Sequence, residues 1–180
     1  DVFKGLSVLF GFMLTLGSAG VVSQIMSGMT LVYSRALRRG DLVSIGEMTG
    51  VVQDVGALST KILNHYREEI TIPNAVIVGT SVRNLSRMHG EDGVRIGARI
   101  TIGYDTPWRQ VHAMMELAAA RVRGLRKDSP PLVLQRALSD FYVEYEVVAV
   151  LEDPFNRLDV LSALHAEIQD EFNTHGVQIM

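Results

Sequence analysis

Side chains able to do chemistry are few in this chain, and they are dispersed. The five histidines, His65, His89, His112, His165 and His175, stand far apart, and none forms an HxxxH or H-E-x-x-H pair suited to a metal. The chain has no cysteine, which removes thiolate nucleophiles, disulfides and cysteine–zinc sites together. Glu144 and Glu146 fall on one face of a predicted strand, and a carboxylate pair can do acid–base work. No nucleophile or cation accompanies them in the sequence, so a solvated strand face is the better reading. Gly17-Ser18-Ala19-Gly20 superficially resembles a nucleophile turn or a phosphate loop. It lacks GxSxG, GxGxxG and a following Lys-Ser/Thr, and it lies inside an apolar run, so helix packing explains it better. Trp108 alone reads as a packing or interface residue. These residues predict no catalytic centre, no metal site and no cofactor.

The element that dominates the chain is Gly5 to Ser34, thirty residues without a charge, followed at once by Arg35, Arg38 and Arg39. At ~1.5 Å per residue such a helix runs about 45 Å, against a hydrocarbon core of ~30 Å, so the surplus must tilt, kink or turn into the interface. Ala19, Ser23 and Ser27 recur at i, i+4 and i+8, and Gly17, Gly20 and Gly28 add to the small-residue seam by which transmembrane helices approach closely. Gly20 and Gly28 are the candidate hinges. The positive-inside tendency puts the Arg35 end in the cytoplasm, and anionic lipid headgroups are the simplest partner for Arg35, Arg38 and Arg39. The run is too long, and its flanks are wrong, for a signal peptide.

Charge is unevenly distributed. Residues 1–40 carry four basic and one acidic side chain, net +3; residues 41–180 carry thirteen and nineteen, net −6. An acidic soluble portion argues against nucleic acid as a partner. The chain opens on Asp1 beside an apolar segment and reads as the C-terminal part of a larger membrane protein.

Three segments are predicted: a transmembrane helix over 1–39 with a bend and an interfacial second half, a β-domain over 40–90, and an α/β-domain over 91–180. From Asp41 to about Leu85, short β-branched runs broken by glycines suggest a small antiparallel barrel or sandwich. Pro73 and Asn74 are read as a turn between Ile70–Ile72 and a further strand, Ala75–Val78. Residues 87–93 read as a linker. Val94 to Tyr104 alternates as a half-buried strand. Asp105-Thr106-Pro107 is read as the acceptor cap of a helix with Val111, Met114, Met115, Ala118 and Val122 on its apolar face. Leu132–Leu134 is a short strand, and Phe141 to Leu151 is a long one with Phe141, Val143, Tyr145, Val147 and Ala149 inward. Asp153-Pro154 opens a last helix striped by Leu158, Leu161, Leu164, Ile168 and Phe172. Strand-helix-strand-strand-helix reads as a ferredoxin-type α+β sandwich.

With these elements in place, the chain resembles the small-conductance mechanosensitive channel (MscS-type) family over essentially its whole length. The resemblance rests on a Gly/Ala/Ser-bearing helix running into Arg35-Ala36-Leu37-Arg38-Arg39-Gly40-Asp41-Leu42-Val43-Ser44-Ile45-Gly46. Thr49-Gly50-Val51-Val52, Ile72-Pro73-Asn74 and Asn84-Leu85-Ser86-Arg87 follow in the family's order. It implies a pore-lining helix, a small Sm-like β-domain carrying Asp41, Pro73, Asn74 and Asn84 as motif residues, and a ferredoxin-like α/β-domain. It further implies a homo-oligomer, usually a heptamer, in a bacterial-type inner membrane, with residues after about 35 in the cytoplasm. Tension would open it on osmotic downshock, releasing ions and small solutes. By position, Phe12 and Leu16 would form the apolar constriction, Gly20 the kink, and Gly17, Ala19, Ser23 and Gly28 the packing surface. Ala36 stands where many members have proline, and Ala19 where some have glutamine. Two other readings are open: a membrane-tethered sensory or ligand-binding module without conductance, and a membrane-bound enzyme using Glu144, Glu146 and a histidine.

Overall fold

Val2–Tyr33 forms one unbroken 32-residue helix, α1. Its hydroxyls turn back on its own backbone: Ser7 donates to Phe3 O, Thr15 to Gly11 O, Ser18 to Thr15 O and Thr30 to Met26 O. Bonds of this kind remove polar groups from an apolar surface at little cost. The computed structural model describes residues 2–87 and 93–180. The chain divides by contacts into two units, Asp1–Arg87 and Met88–Met180.

In the first unit α1 ends at Tyr33, not at the expected Arg39. Arg35 takes a left-handed backbone (φ 51), which an α-helix cannot continue, and Leu37 then turns into the β-core, only 4% exposed. The expected interfacial half is therefore a short helical end followed by turns. Five strands follow: β1 (Leu42–Ile45), β2 (Met48–Val55), β3 (Ser59–Leu63), β4 (Glu69–Pro73) and β5 (Val82–Asn84). They form one antiparallel sheet in the order β4-β3-β2-β1-β5, with a register shift between Val52 and Asp54. Its core gathers Leu31 and Leu37 with Val43, Ile45, Val52, Ile62, Ile72 and Ile77.

The segment read as a strand after Pro73 is instead a one-turn helix, α2 (Asn74–Val78). Asn74 is completely buried; it accepts a hydrogen bond from Thr60 Oγ1 at 2.8 Å and donates to Gly56 O at 2.8 Å. Held this way, Asn74 turns the backbone after Pro73 and drops Ile77 into the core, overriding the β preference of Val76, Ile77 and Val78.

The second unit has the expected element order: β6 (Arg95–Gly103), α3 (Trp108–Arg121), β7 (Leu132–Leu138), β8 (Tyr142–Val150), a 3-10 turn (Pro154–Asn156) and α4 (Arg157–Thr174). The antiparallel sheet order is β6-β8-β7, as in a ferredoxin-like sandwich. Ile179 bridges Ile102 on the free edge of β6, and Met180 N–H donates to Thr101 O at 3.0 Å. All five apolar residues predicted for the first helix, Val111, Met114, Met115, Ala118 and Val122, are buried against this sheet with Leu164, Ile168 and Phe172 of α4. Two details differ from expectation. No side chain caps α3, since Pro107 itself stands at its N-cap. Phe141 lies in the β7–β8 hairpin, outside β8, and is 79% exposed, because the ladder with β6 ends at the Gly103–Tyr142 pair.

Helices α3 and α4 share a buried charge. Glu171, 2% exposed, accepts from Arg121 Nη1 at 2.5 Å and lies 3.3 Å from His175 Nδ1. Arg121→Ala is expected to destabilise this unit by about 2 kcal/mol, less than for a fully buried pair because the guanidinium side is half exposed. Denaturant unfolding followed by Trp108 fluorescence measures it; no change in midpoint would mean that His175 and water suffice for Glu171.

Candidate functional site

The residues assigned to α1 divide into a free part and a seated part. Phe12 and Leu16 are 65% and 75% exposed, and Gly17, Ala19, Gly20 and Ser23 are exposed as well. At about 100° per residue, Phe12, Leu16, Ala19 and Ser23 fall within an arc of about 60°, while Gly17 and Gly20 turn to one side of it. A Cβ added at Gly17 or Gly20 would meet nothing within 4 Å. The helix passes through both positions without a break.

Lower down, one face is seated. Gln24 and Ser27 are half-buried, Gly28 and Leu31 buried. Gln24 Oε1 accepts a hydrogen bond from Ala75 N–H at 3.0 Å. A Cβ on Gly28 would lie 2.2 Å from Ala57 O and 2.7 Å from Asn74 Nδ2. Glycine is therefore required here by space, since helix α1 rests directly on the backbone of the β2–β3 turn and on the Asn74 amide. Sequence reasoning placed Gly28 in a helix-packing region, and what it packs on is its own β-domain. The Gln24 link was missed; the available signal was that Gln24 is the single amide in an otherwise apolar helix.

The basic end is open. Arg35, Arg38 and Arg39 line a shallow cavity of about 390 Å³ with Val32, Leu37, Asp54 and Val55.

The motif residues beyond the helix converge on one carboxylate. Asp41 Oδ2 accepts from Asn84 Nδ2 at 2.7 Å, from Arg87 Nη2 at 2.7 Å and from Arg38 N–H at 3.2 Å. The same Arg87 nitrogen donates to Ala36 O at 3.1 Å. Asn84 Oδ1 accepts from the N–H groups of Ser86 and Arg87, and Ser86 Oγ accepts from Leu42 N–H at 2.8 Å. Arg87, read as the start of a linker, belongs to this network. Pro73 stands at the N-cap of α2, beside Asn74.

Several of the residues considered for catalysis are engaged in ion pairs or ring contacts. Glu144 lies 3.5 Å from Arg99; Glu146 is paired with Arg99 and Arg136, each at 3.2 Å. The cations absent from sequence proximity arrive from β6 and β7. His65 stacks on Tyr66, His165 is exposed, and His175 faces Glu171. His112 sits between Trp108 and Tyr145, its buried Nε2 unpartnered. His89 and residues 88–92 of the expected linker lie outside the described residues. Where a titration is displaced, it moves away from neutrality. Glu69 holds the Lys61 ammonium high, Asp128 and Arg126 push each other down and up, and burial raises the Tyr145 hydroxyl. Such groups are poor proton carriers near pH 7. Among the described residues, no three His, Asp or Glu gather where a metal could be held.

Comparison with known proteins adds to this geometry. The family profile "Mechanosensitive ion channel, beta-domain" matches residues 20–87, and "Mechanosensitive ion channel MscS, C-terminal" matches residues 96–179. A small-conductance mechanosensitive channel of Edwardsiella ictaluri is 30% identical over 119 residues, covering 66% of this chain and 41% of that protein. The small-conductance mechanosensitive channel MscMJ of Methanocaldococcus jannaschii is 24% identical over 174 residues, covering 94% of this chain and 48% of that protein. The closed-state crystal structure of Helicobacter pylori MscS matches with a TM-score of 0.77 at 17% identity, over 100% of this chain and 70% of that one, which shows a shared fold. The chain spans between 16% and 48% of the length of the first three curated relatives it matches.

Proposed function

The chain belongs to the MscS-type mechanosensitive channel family, and from that premise we propose that it supplies the pore helix and cytoplasmic domains of one subunit of a tension-gated channel. The observation that carries the reading is α1 itself. It is long and apolar enough to cross a membrane, and its side chains are exposed from Val2 to Ser23. A bare apolar helix with its hydroxyls folded back needs cover, which lipid and further copies of the same helix provide.

In this reading several copies, a heptamer by the family's habit, ring a pore with Phe12 and Leu16 facing its axis. Two rings of apolar side chains hold a narrow passage dry, so ions are stopped without any charged barrier. The resemblance gives Ala19 and Ser23 a packing role, but they share the arc of Phe12 and Leu16, so in this reading they face the axis with small side chains. Gly17 and Gly20 lie to one side, against neighbouring helices, and Gly20 is the point at which the unbroken helix bends on gating. Arg35, Arg38 and Arg39 meet anionic headgroups at the cytoplasmic face of an inner membrane. Opening under osmotic downshock releases ions and small solutes, and no bond is made or broken, so the protein is no enzyme.

Stepwise suction on liposomes carrying the full-length protein is expected to give discrete single-channel currents that grow in frequency with tension. A silent membrane, with the protein inserted and oligomeric, would overturn this reading in favour of a tethered binding module.

A further inference from the structure

The Asp41 network joins two places that are far apart in sequence and central to the proposed function. On one side lies the end of α1, residues 36–41; on the other lies Arg87, the last residue of the first unit, where the chain departs for the second. Forty-six residues separate Asp41 from Arg87, and the whole β-sheet lies between them in sequence. The carboxylate is well shielded, its side chain 16% exposed, and takes three donors at once. Charge-assisted bonds of this kind are the stronger members of their class. The guanidinium nitrogen that binds Asp41 also holds the Ala36 carbonyl, so Arg87 grips the connection after α1 at both ends. Leu85 N–H donates to Leu42 O at 2.7 Å and extends the antiparallel β1–β5 pairing up to this joint.

We propose that Asp41 and Arg87 form a strap that ties the membrane-side exit of α1 to the exit toward the cytoplasmic α/β-domain, and that opening under tension must break it. The inference rests on the channel reading and adds to it a named mechanical element. Without the strap, displacement of α1 would be resisted by its seat at Gln24 and Gly28, by buried Leu31 and Leu37, and by the sheet. With it, the movement of the helix end loads the departure of the next domain directly.

The test is suction recording on Asp41→Asn, Arg87→Gln, the double variant and Arg87→Lys, with oligomer integrity checked by size-exclusion chromatography. Asp41→Asn and Arg87→Gln are each expected to raise the open-to-closed ratio at fixed sub-threshold tension about tenfold or more, at unchanged unitary conductance. The double variant should shift opening by less than the sum of the two single ones, because the Asp41–Arg87 bond is lost in both, while the Ala36 contact of Arg87 and the Asn84 and Arg38 contacts of Asp41 are separate. Arg87→Lys should stay near the wild type, since an ammonium can serve both acceptors. Folded, oligomeric variants that open at wild-type tension would overturn the strap and leave the channel reading intact, as would additive shifts or a lysine variant as altered as glutamine. A wild-type protein silent under suction would remove both.

Discussion

Leu16→Ser, and Phe12→Ser with it, is expected to convert the proposed channel into a leak. Each substitution replaces an exposed apolar side chain by a hydroxyl on the arc that is proposed to face the axis. Neither position touches the β-domain, so the fold of a single chain has no stake in them. In an assembled ring each change is repeated in every copy. Water that two apolar rings exclude then finds a hydrogen-bonding partner at every side chain, and the dry state is lost. Openings at zero suction should become at least ~100-fold more frequent, and cells expressing the variants should grow poorly. The size of the effect follows from apolar transfer terms of about 2 kcal/mol per copy acting together. Unchanged growth and unchanged resting conductance would remove Phe12 and Leu16 from the constriction. Leu14→Ser makes a useful companion, because it lies on the same exposed helix but about 200° around from Phe12 and should have no such effect.

Gly28→Ala should be the most damaging single methyl in the first unit. In an isolated helix this change favours folding by about 1 kcal/mol. Here the new carbon would lie 2.2 Å from the Ala57 carbonyl oxygen and 2.7 Å from the Asn74 amide. The first of these is backbone and cannot rotate away, and the second is committed to Thr60 and Gly56. Either α1 lifts from its seat, losing the Gln24–Ala75 bond and the burial of Leu31, or Asn74 is displaced and leaves buried polar groups unpaired. Both routes cost about 2–4 kcal/mol, which outweighs the gain in propensity. The expected result in detergent is a lower unfolding temperature. Gly20→Ala is the matched control: nothing lies within 4 Å, so the single chain should be unharmed. Equal melting of the two variants would show that α1 does not bear on the β-domain as described.

The legible parts of this fold were those written in local periodicity. The apolar face of α3 and the alternation of β6 and β8 repeat at 3.6 and 2 residues, and each face meets a core of the same unit. What escaped depended on partners distant in sequence. Ala75–Val78 has the composition of a strand, but buried Asn74, held by Thr60 and Gly56, makes it a helix. The end of α1 was placed too late because arginines and leucines are compatible with a helix; the burial of Leu37 decides the matter. At the candidate site, the motif residues Asp41 and Asn84 stood out by resemblance. Their convergence on one oxygen, with Arg87 46 residues away, has no signature in spacing. Glu144 and Glu146 pair with Arg99 and Arg136, which come from strands that no pattern pairs in advance.

The seat of α1 also bears on how the protein is made. Gln24 must wait for Ala75, 51 residues further along the chain, before it finds its partner. At about 5–20 residues per second, synthesis leaves that lower turn of the helix unpartnered for roughly 3–10 s. Under the proposed channel reading, the apolar run is open during this interval to insertion machinery, which reads hydrophobicity and flanking charge but not future tertiary contacts. Arg35, Arg38 and Arg39 emerge before α2, and under the same reading they are the flanking charge that such machinery would meet first. Order of appearance at the ribosome thus places the arginine cluster ahead of the surface on which Gly28 rests.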